Sequence, residues 1–163
     1  NILNLSEDEI IVNVQGDEPF IEVEVVQAVI NRVKQIKENN EDIMITSCFK
    51  EISSELADDP NHVKVVLDEH SNAIYFSRAK VPYHRDHHEV SSYSGHLGIY
   101  GFTKKSLNEF CKLPSSKLEN IEKLEQLRAI DNGHKIAMVK VNSKSFGIDT
   151  QEDLNNAIRI FGK

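Results

Sequence analysis

The 163-residue sequence predicts an α/β domain, and two observations carry that expectation. Ile10-Ile11-Val12-Asn13-Val14 is nearly continuous in branched apolar residues and runs straight into Gln15-Gly16-Asp17-Glu18-Pro19. That is the pattern of a strand covered on both faces and opening at its carboxyl end. Apolar runs and segments of helical spacing then follow along the chain, as expected when helices pack on a sheet. Gly16 lacks a Cβ and permits a sharp turn or a close ligand approach, while Pro19 stops the ladder. A tight acidic turn and a ligand site at Asp17 both fit these residues.

The elements read in order. Val23, Val26, Val29, Ile30, Val33 and Ile36 recur at three- and four-residue steps, predicting an amphipathic helix that Asn39-Asn40 ends. Residues 43–49 read as a strand and Asp58-Asp59-Pro60-Asn61 as a turn cluster. Residues 63–67 and 73–76 flank a polar loop of hairpin length, with Arg78 after the second arm. Residues 80–95 lack periodicity and read as a long surface loop; 96–102 is a strand, and a helix starts at 103 or 104 and reaches about 113. Ser116 and Glu119 have capping-box spacing, predicting one helix that runs to Asn132-Gly133. Residues 135–141 read as a strand, and Thr150 with Asp153 repeats the capping-box spacing before a helix over 151–161.

Composition bounds the function. With 39% hydrophobic and 28% charged residues the chain is an ordinary single globular domain, and a formal charge of −7 argues against an extended nucleic-acid surface. Cys48 and Cys111 are too few and too far apart for a disulfide framework or a zinc ribbon, favour a reducing compartment, and read as two buried thiols. No run approaches a membrane span and no charged-then-apolar leader is present, so the chain reads as cytoplasmic. It begins at Asn1 with only a short polar lead before the first strand, which reads as a fragment.

Three places carry charge where chemistry could occur. On a helical wheel over 117–131, Leu118, Ile121, Leu124, Leu127 and Ala129 define the apolar arc, and Glu125 and Arg128 fall inside it. A partly buried Glu125–Arg128 pair and a polar cavity at that end both fit, with Gln126 on the rim in the second case. Asp149 precedes the Thr150 cap, where a helix dipole favours an acid; together with Asp17 it could also hold one Mg²⁺. His84, Asp86, His87, His88 and His96 lack the fixed spacing of a transition-metal site, so the loop reads as solvated.

Taken together, Ile11-Val12-Asn13-Val14-Gln15-Gly16-Asp17-Glu18-Pro19, residues 63–68, Tyr75-Phe76-Ser77-Arg78, residues 82–86, His96-Leu97-Gly98-Ile99-Tyr100-Gly101, residues 118–122 with Leu124-Glu125-Gln126-Leu127-Arg128, and Gly147-Ile148-Asp149-Thr150 resemble, in order, the cytidylyltransferases that activate 3-deoxy-D-manno-octulosonate (KDO). The resemblance implies a three-layer αβα Rossmann-like fold of the nucleotide-diphospho-sugar transferases, with a mixed sheet truncated at its N-terminus. It implies transfer of CMP from CTP to KDO for lipopolysaccharide assembly, usually by a homodimer, with residues 80–95 as a loop and dimerisation region. It makes Asp17 and Asp149 the catalytic Mg²⁺-binding acids, and Gln15, Arg78, His96, Tyr100, Glu125 and Gln126 the sugar-acid site. An 8-amino-KDO or sialate-type substrate, or a non-catalytic sugar-acid-binding fragment, are the alternatives.

Family members also carry, ahead of the region matched here, a first strand and an Arg/Lys-bearing loop that grips the CTP triphosphate. The isolated 163 residues are therefore expected to turn over poorly. Steady-state pyrophosphate release beside a full-length homologue checks this, and comparable turnover would defeat it.

Overall fold

The architecture is that of a computed structural model, which describes residues 4–16, 18–85, 92–144, 147–148 and 151–161, without the side chains of residues 152, 153, 156 and 161. Its elements run β1 (Ile10–Val14), α1 (Val23–Asn39), β2 (Ile45–Ile52), α2 (Ser54–Asp58), β3 (Lys64–Leu67), β4 (Ala73–Ser77), β5 (Tyr93–Thr103), α3 (Lys104–Phe110), α4 (Lys117–Glu122), α5 (Leu127–Asp131), β6 (Ile136–Lys140) and α6 (Gln151–Phe161). The strands form one mixed sheet in the order β4-β3-β5-β2-β6, with β1 also paired to β5. Among the described residues only β2 and β6 run parallel; the other strand pairs are antiparallel.

Alternation along β5 separates two cores. Leu97 and Ile99 face one way and join Val25 and Val29 of α1 with Cys48 of β2. Tyr100 and Phe102 face the other and join Phe49, Phe76, Leu124 and Leu127, with Leu107, Phe110 and Leu118 packed against them. The period of two thus puts α1 on one face and α3, α4 and α5 on the other, giving the three expected layers. Gly101 lets α1 seat closely. A Cβ there would lie 2.6 Å from Val29 Cγ1 and 2.8 Å from Val33 Cγ2.

Several expectations need correction. β1 is not buried on both faces: Ile10 to Val12 are half-buried, and Asn13 and Val14 are exposed. Among the described residues β1 pairs only with β5, and its flank borders an open groove lined by Ile10, Val12, Ile30 and Lys34. β2 runs three residues past the predicted end, to Ile52, and β5 starts at Tyr93, taking the last three residues of the predicted loop. Residues 86–91 of that loop, with Asp86, His87 and His88, lie outside the described residues. Cys48 is buried, its thiol pushed up to about 12 mainly by burial, but Cys111 is exposed. No helix among the described residues is long and apolar enough to cross a membrane.

The largest correction concerns the single helix predicted from 116 to 132. The Ser116–Glu119 capping box forms with both arms, but Lys123 adopts φ 57° and ψ 47° and ends α4. Leu124 to Gln126 then cross to α5, and Gly133 at φ 82° follows its end. Glu125 and Arg128 consequently do not share a helical face; Arg128 forks onto Glu119, through Nε to Oε2 at 2.9 Å and Nη2 to Oε1. The Glu125 carboxylate stays 3.9 Å from Arg128 and is largely exposed.

The tight seat at Gly101 gives a stability test. Gly101→Ala is expected to lose about 1–3 kcal/mol by overpacking against two stiff valines. Urea unfolding of the two proteins measures it, and an unchanged midpoint would contradict the packing account.

Candidate active site

A cavity of about 330 Å³ opens where β1, β5 and the α4–α5 crossing meet. Gln15, Arg78, His96, Tyr100, Glu125 and Gln126 all line it, so all six predicted sugar-site residues converge although they come from four separate stretches of chain. Asp17 and Asp149 lie outside the described residues, as do Thr150 and the side chain of Asp153, so neither the acid pair nor the second capping box is described. Their neighbours Gln15, Glu18 and Gly147 line the same cavity.

Strand β5 builds the floor. Its N–H at Gly98 donates to the Glu18 carboxylate at 3.2 Å, and its carbonyl accepts from the Gln15 N–H at 3.0 Å. A Cβ on Gly98 would stand 2.8 Å from Gln15 Oε1, so glycine is what allows the Gln15 carboxamide to lie across the strand. Two residues before and after, His96 and Tyr100 project beside it. The His96 ring packs edge-on to Phe76 at 5.0 Å between centroids and tilted to Tyr100 at 5.5 Å.

The polarity of His96 follows from its partner. Ser47 Oγ donates to the Ile99 carbonyl at 2.8 Å, so the same oxygen accepts from His96 Nε2 at 2.9 Å. His96 is then the neutral Nε2–H tautomer with its lone pair on Nδ1. Burial pulls its pKa down to about 3, because a charged ring would lose its hydration here.

The crossing from α4 to α5 supplies the opposite wall. Gln126 is buried to 3% exposure and its Oε1 accepts from the Tyr100 hydroxyl at 3.2 Å. Among the described residues its Nε2 has no hydrogen-bond partner. A buried amide with two unused donors is costly unless something with oxygen acceptors occupies the cavity. The rim assignment is therefore reversed: Gln126 is inside and Glu125 is at the opening.

Sequence reading missed other lining residues. Lys50, Asn61, His62 and Lys123 complete the wall. Burial lowers the pKa of Lys50 while Glu18 and Glu22 oppose that shift. Lys50 stands beside Glu51 just past the predicted end of the strand, a polar pair that reads as solvent-facing and gave no signal. Lys123 carried no glycine or proline to mark the break it makes.

The arrangement is a polar, cation-bearing pocket over the central strand of a mixed sheet, and its fold is the α/β fold of the nucleotidyltransferases. A solved CMP:2-keto-3-deoxy-manno-octonic acid synthetase complexed with CTP superposes with a TM-score of 0.80 at 32% identity, over 93% of this chain and 61% of that one. A putative glucose-1-phosphate thymidylyltransferase from Bacillus anthracis in complex with a sucrose shares the fold at a TM-score of 0.55 and 17% identity, covering 96% of this chain and 56% of that one. The model of the family described as Cytidylyltransferase matches residues 1–136, and the chain belongs to that family. Among curated relatives, the 3-deoxy-manno-octulosonate cytidylyltransferase of Wolinella succinogenes is 53% identical over 99% of this chain and 67% of its own length. That of Helicobacter pylori is 51% identical over 98% and 65%. The chain thus spans about two thirds of the relatives it matches.

The buried imidazole sets a pH dependence. In the unfolded chain His96 takes up a proton below its ordinary value of 6.5, whereas the folded state refuses it down to about 3. Folding stability tied to this group is therefore complete above pH 6.5 and falls as the pH drops from there toward 3. NMR of the ring should show the neutral Nε2–H form without titration between pH 5 and 8, on the order of the range in which a free histidine changes charge. A midpoint near 6.5 would refute the buried neutral ring.

Proposed function

We propose that this chain forms the sugar-acid and metal side of an enzyme that transfers CMP from CTP to KDO and releases pyrophosphate, supplying lipopolysaccharide assembly. The observation that carries the reading is the unpartnered Gln126 amide in the wall that also presents Arg78, His96 and Tyr100. Such a pocket suits a ligand with both a carboxylate and several hydroxyls. The names of the curated relatives support KDO as that ligand, and the CTP complex of the structural neighbour supports CTP.

In this reading Arg78 takes the carboxylate, since a guanidinium fork matches its geometry. Gln126 and Glu125 meet hydroxyls, the first as donor and the second as acceptor. His96 is neutral and adds no charge to the floor, while Gln15 fixes one edge of the sugar. Asp17 and Asp149 would hold Mg²⁺; a pair of carboxylates is the hard oxygen set that this ion prefers, and in the sequence the lining residues Gln15 and Glu18 stand close to Asp17 and Gly147 close to Asp149. When bound, the ion would neutralise phosphate charge and acidify the attacking hydroxyl.

The anomeric hydroxyl oxygen attacks the α-phosphorus and forms the new P–O bond. The bond from that phosphorus to the bridging oxygen breaks, and pyrophosphate leaves with its electron pair while the hydroxyl loses its proton. The protein's part is to align the oxygen and to exclude wrong geometries, which is where most of the rate in such transfers comes from. A homodimer working in the cytoplasm completes the proposal.

Pyrophosphate release from CTP by the whole protein tests it. Release is expected to require KDO and Mg²⁺ together and to drop by about a hundredfold or more in Asp17→Asn. Gln126→Ala should raise the KM for KDO about tenfold. Release without KDO, or a preference for 8-amino-KDO or a sialate, would overturn the substrate assignment, and binding of KDO with no response to CTP would leave a sugar-acid binder.

A further inference from the structure

Arg78 arrives at the cavity already held. Two of its five guanidinium donors are used: Nε donates to the Glu122 carbonyl at 2.8 Å and Nη1 to the Pro60 carbonyl at 3.1 Å. Those carbonyls belong to different walls, one at the end of α4 and one in the turn before β3. Its backbone is held as well. The Arg78 N–H donates to the Glu122 carboxylate at 2.9 Å, and the Arg78 carbonyl accepts from the Lys64 ammonium at 2.7 Å.

Glu122 is the centre of this arrangement. Its other carboxylate oxygen accepts from the Ser77 hydroxyl at 2.8 Å and from the Tyr75 hydroxyl at 3.4 Å. Lys64 is fully buried and spends a second donor on the Asp59 carbonyl at 3.0 Å, tying the Asp59–Pro60 turn to Arg78 from behind. Burying an ammonium is costly unless its donors are paired, and here two of them reach the Asp59 and Arg78 carbonyls. The break at Lys123 contributes directly: because α4 ends there, the Glu122 carbonyl has no helical N–H following it and is open to a side-chain donor.

We propose that Glu122 is a positioning residue for the acidic substrate: gripping Arg78 by both carboxylate and carbonyl, with Lys64 as rear anchor, it aims the remaining guanidinium donors at the substrate carboxylate. This rests on the reading that Arg78 receives that carboxylate. A guanidinium fixed before binding loses little further freedom when the substrate arrives, so the device acts on affinity for the acid. The same bonds also join a hairpin to a helix and would act as a staple even if no ligand bound. The two roles differ in what they move: a staple changes the melting temperature, whereas an aiming device changes the KM for the sugar acid.

The whole protein is assayed below its melting temperature as Glu122→Gln, Ser77→Ala, Arg78→Lys and the Glu122→Gln/Arg78→Lys double variant. Glu122→Gln is expected to raise the KM for KDO about tenfold with the KM for CTP within about twofold of the parent. Ser77→Ala, which removes one donor from the Glu122 carboxylate and the acceptor of the Ala79 N–H but keeps the Arg78 side chain, should move the same constant in the same direction by a smaller factor, and it carries the test if Glu122→Gln does not fold. On the Arg78→Lys background, Glu122→Gln should add little, because the group it aims has gone. Glu122→Gln, or Ser77→Ala in its place, that lowers the melting temperature yet leaves the KM for KDO unchanged while Arg78→Lys raises it would sink the positioning role alone. An unchanged KM in Arg78→Lys would instead sink the assignment of Arg78, and this inference with it.

Discussion

Strand β5 is hydrogen-bonded along both edges. One edge carries β2 over most of its length, and the other is shared by β1 against residues 99–103 and β3 at Gly95. A strand in this position cannot slip in register without breaking three ladders at once, and a slip of one residue would turn every side chain to the opposite face. The pairing with β2 contains an irregularity of its own, passing from Ser47 opposite Tyr100 to Cys48 opposite Leu97. The two extra β5 residues include Gly98, over which Gln15 lies, so the bulge and the cavity floor are one feature. His96, Gly98 and Tyr100 take their places in the site from that register.

Several charges near the site are tied to a specific partner. Glu119 is held down to about 2 first by the Arg128 fork, while its capping-box bonds secure the start of α4. Glu122 is lowered overall: burial opposes ionisation, and the donors from Arg78, Ser77 and Tyr75 outweigh it. Burial lowers Lys64, with Asp59 opposing. The His96 ring gives up its charge altogether. The result is a pocket whose wall between β4 and α4 is strongly polar and whose floor is neutral.

Most of the frame was legible in the sequence because it follows from periodicity: α1, the 63–77 hairpin, β6 and the Ser116 capping box all sit where spacing puts them. The break at Lys123 was not legible, since lysine rarely takes a left-handed backbone and the apolar spacing of Leu118, Ile121, Leu124 and Leu127 runs through it undisturbed. The charges that the wheel placed in the core were a symptom of that break: Arg128 forks onto Glu119, and its contact with the largely exposed Glu125 is the longer one, at 3.9 Å. The resemblance to the family singled out Gln15, Arg78, His96, Tyr100, Glu125 and Gln126, which the fold gathers around one cavity. It could not supply the tautomer of His96, the burial of Gln126 or the bonds behind Arg78, which depend on packing between elements distant in the chain. β1 looked more buried than it is because an apolar run reports what a strand prefers to touch, not what lies beside it.

The unsatisfied amide of Gln126 also bears on how the pocket would choose among similar molecules. An empty or mismatched pocket leaves two N–H groups with nothing to bond to in a place that water hydrates poorly, so a ligand missing one oxygen forfeits a contact and also seals in that deficit. Rejection of a deoxygenated analogue is then steeper than the loss of one hydrogen bond would suggest, whereas a molecule that is merely larger by a hydroxyl is turned away only as far as shape forbids. In the proposed role, discrimination in this pocket would be built from an intolerance of absence.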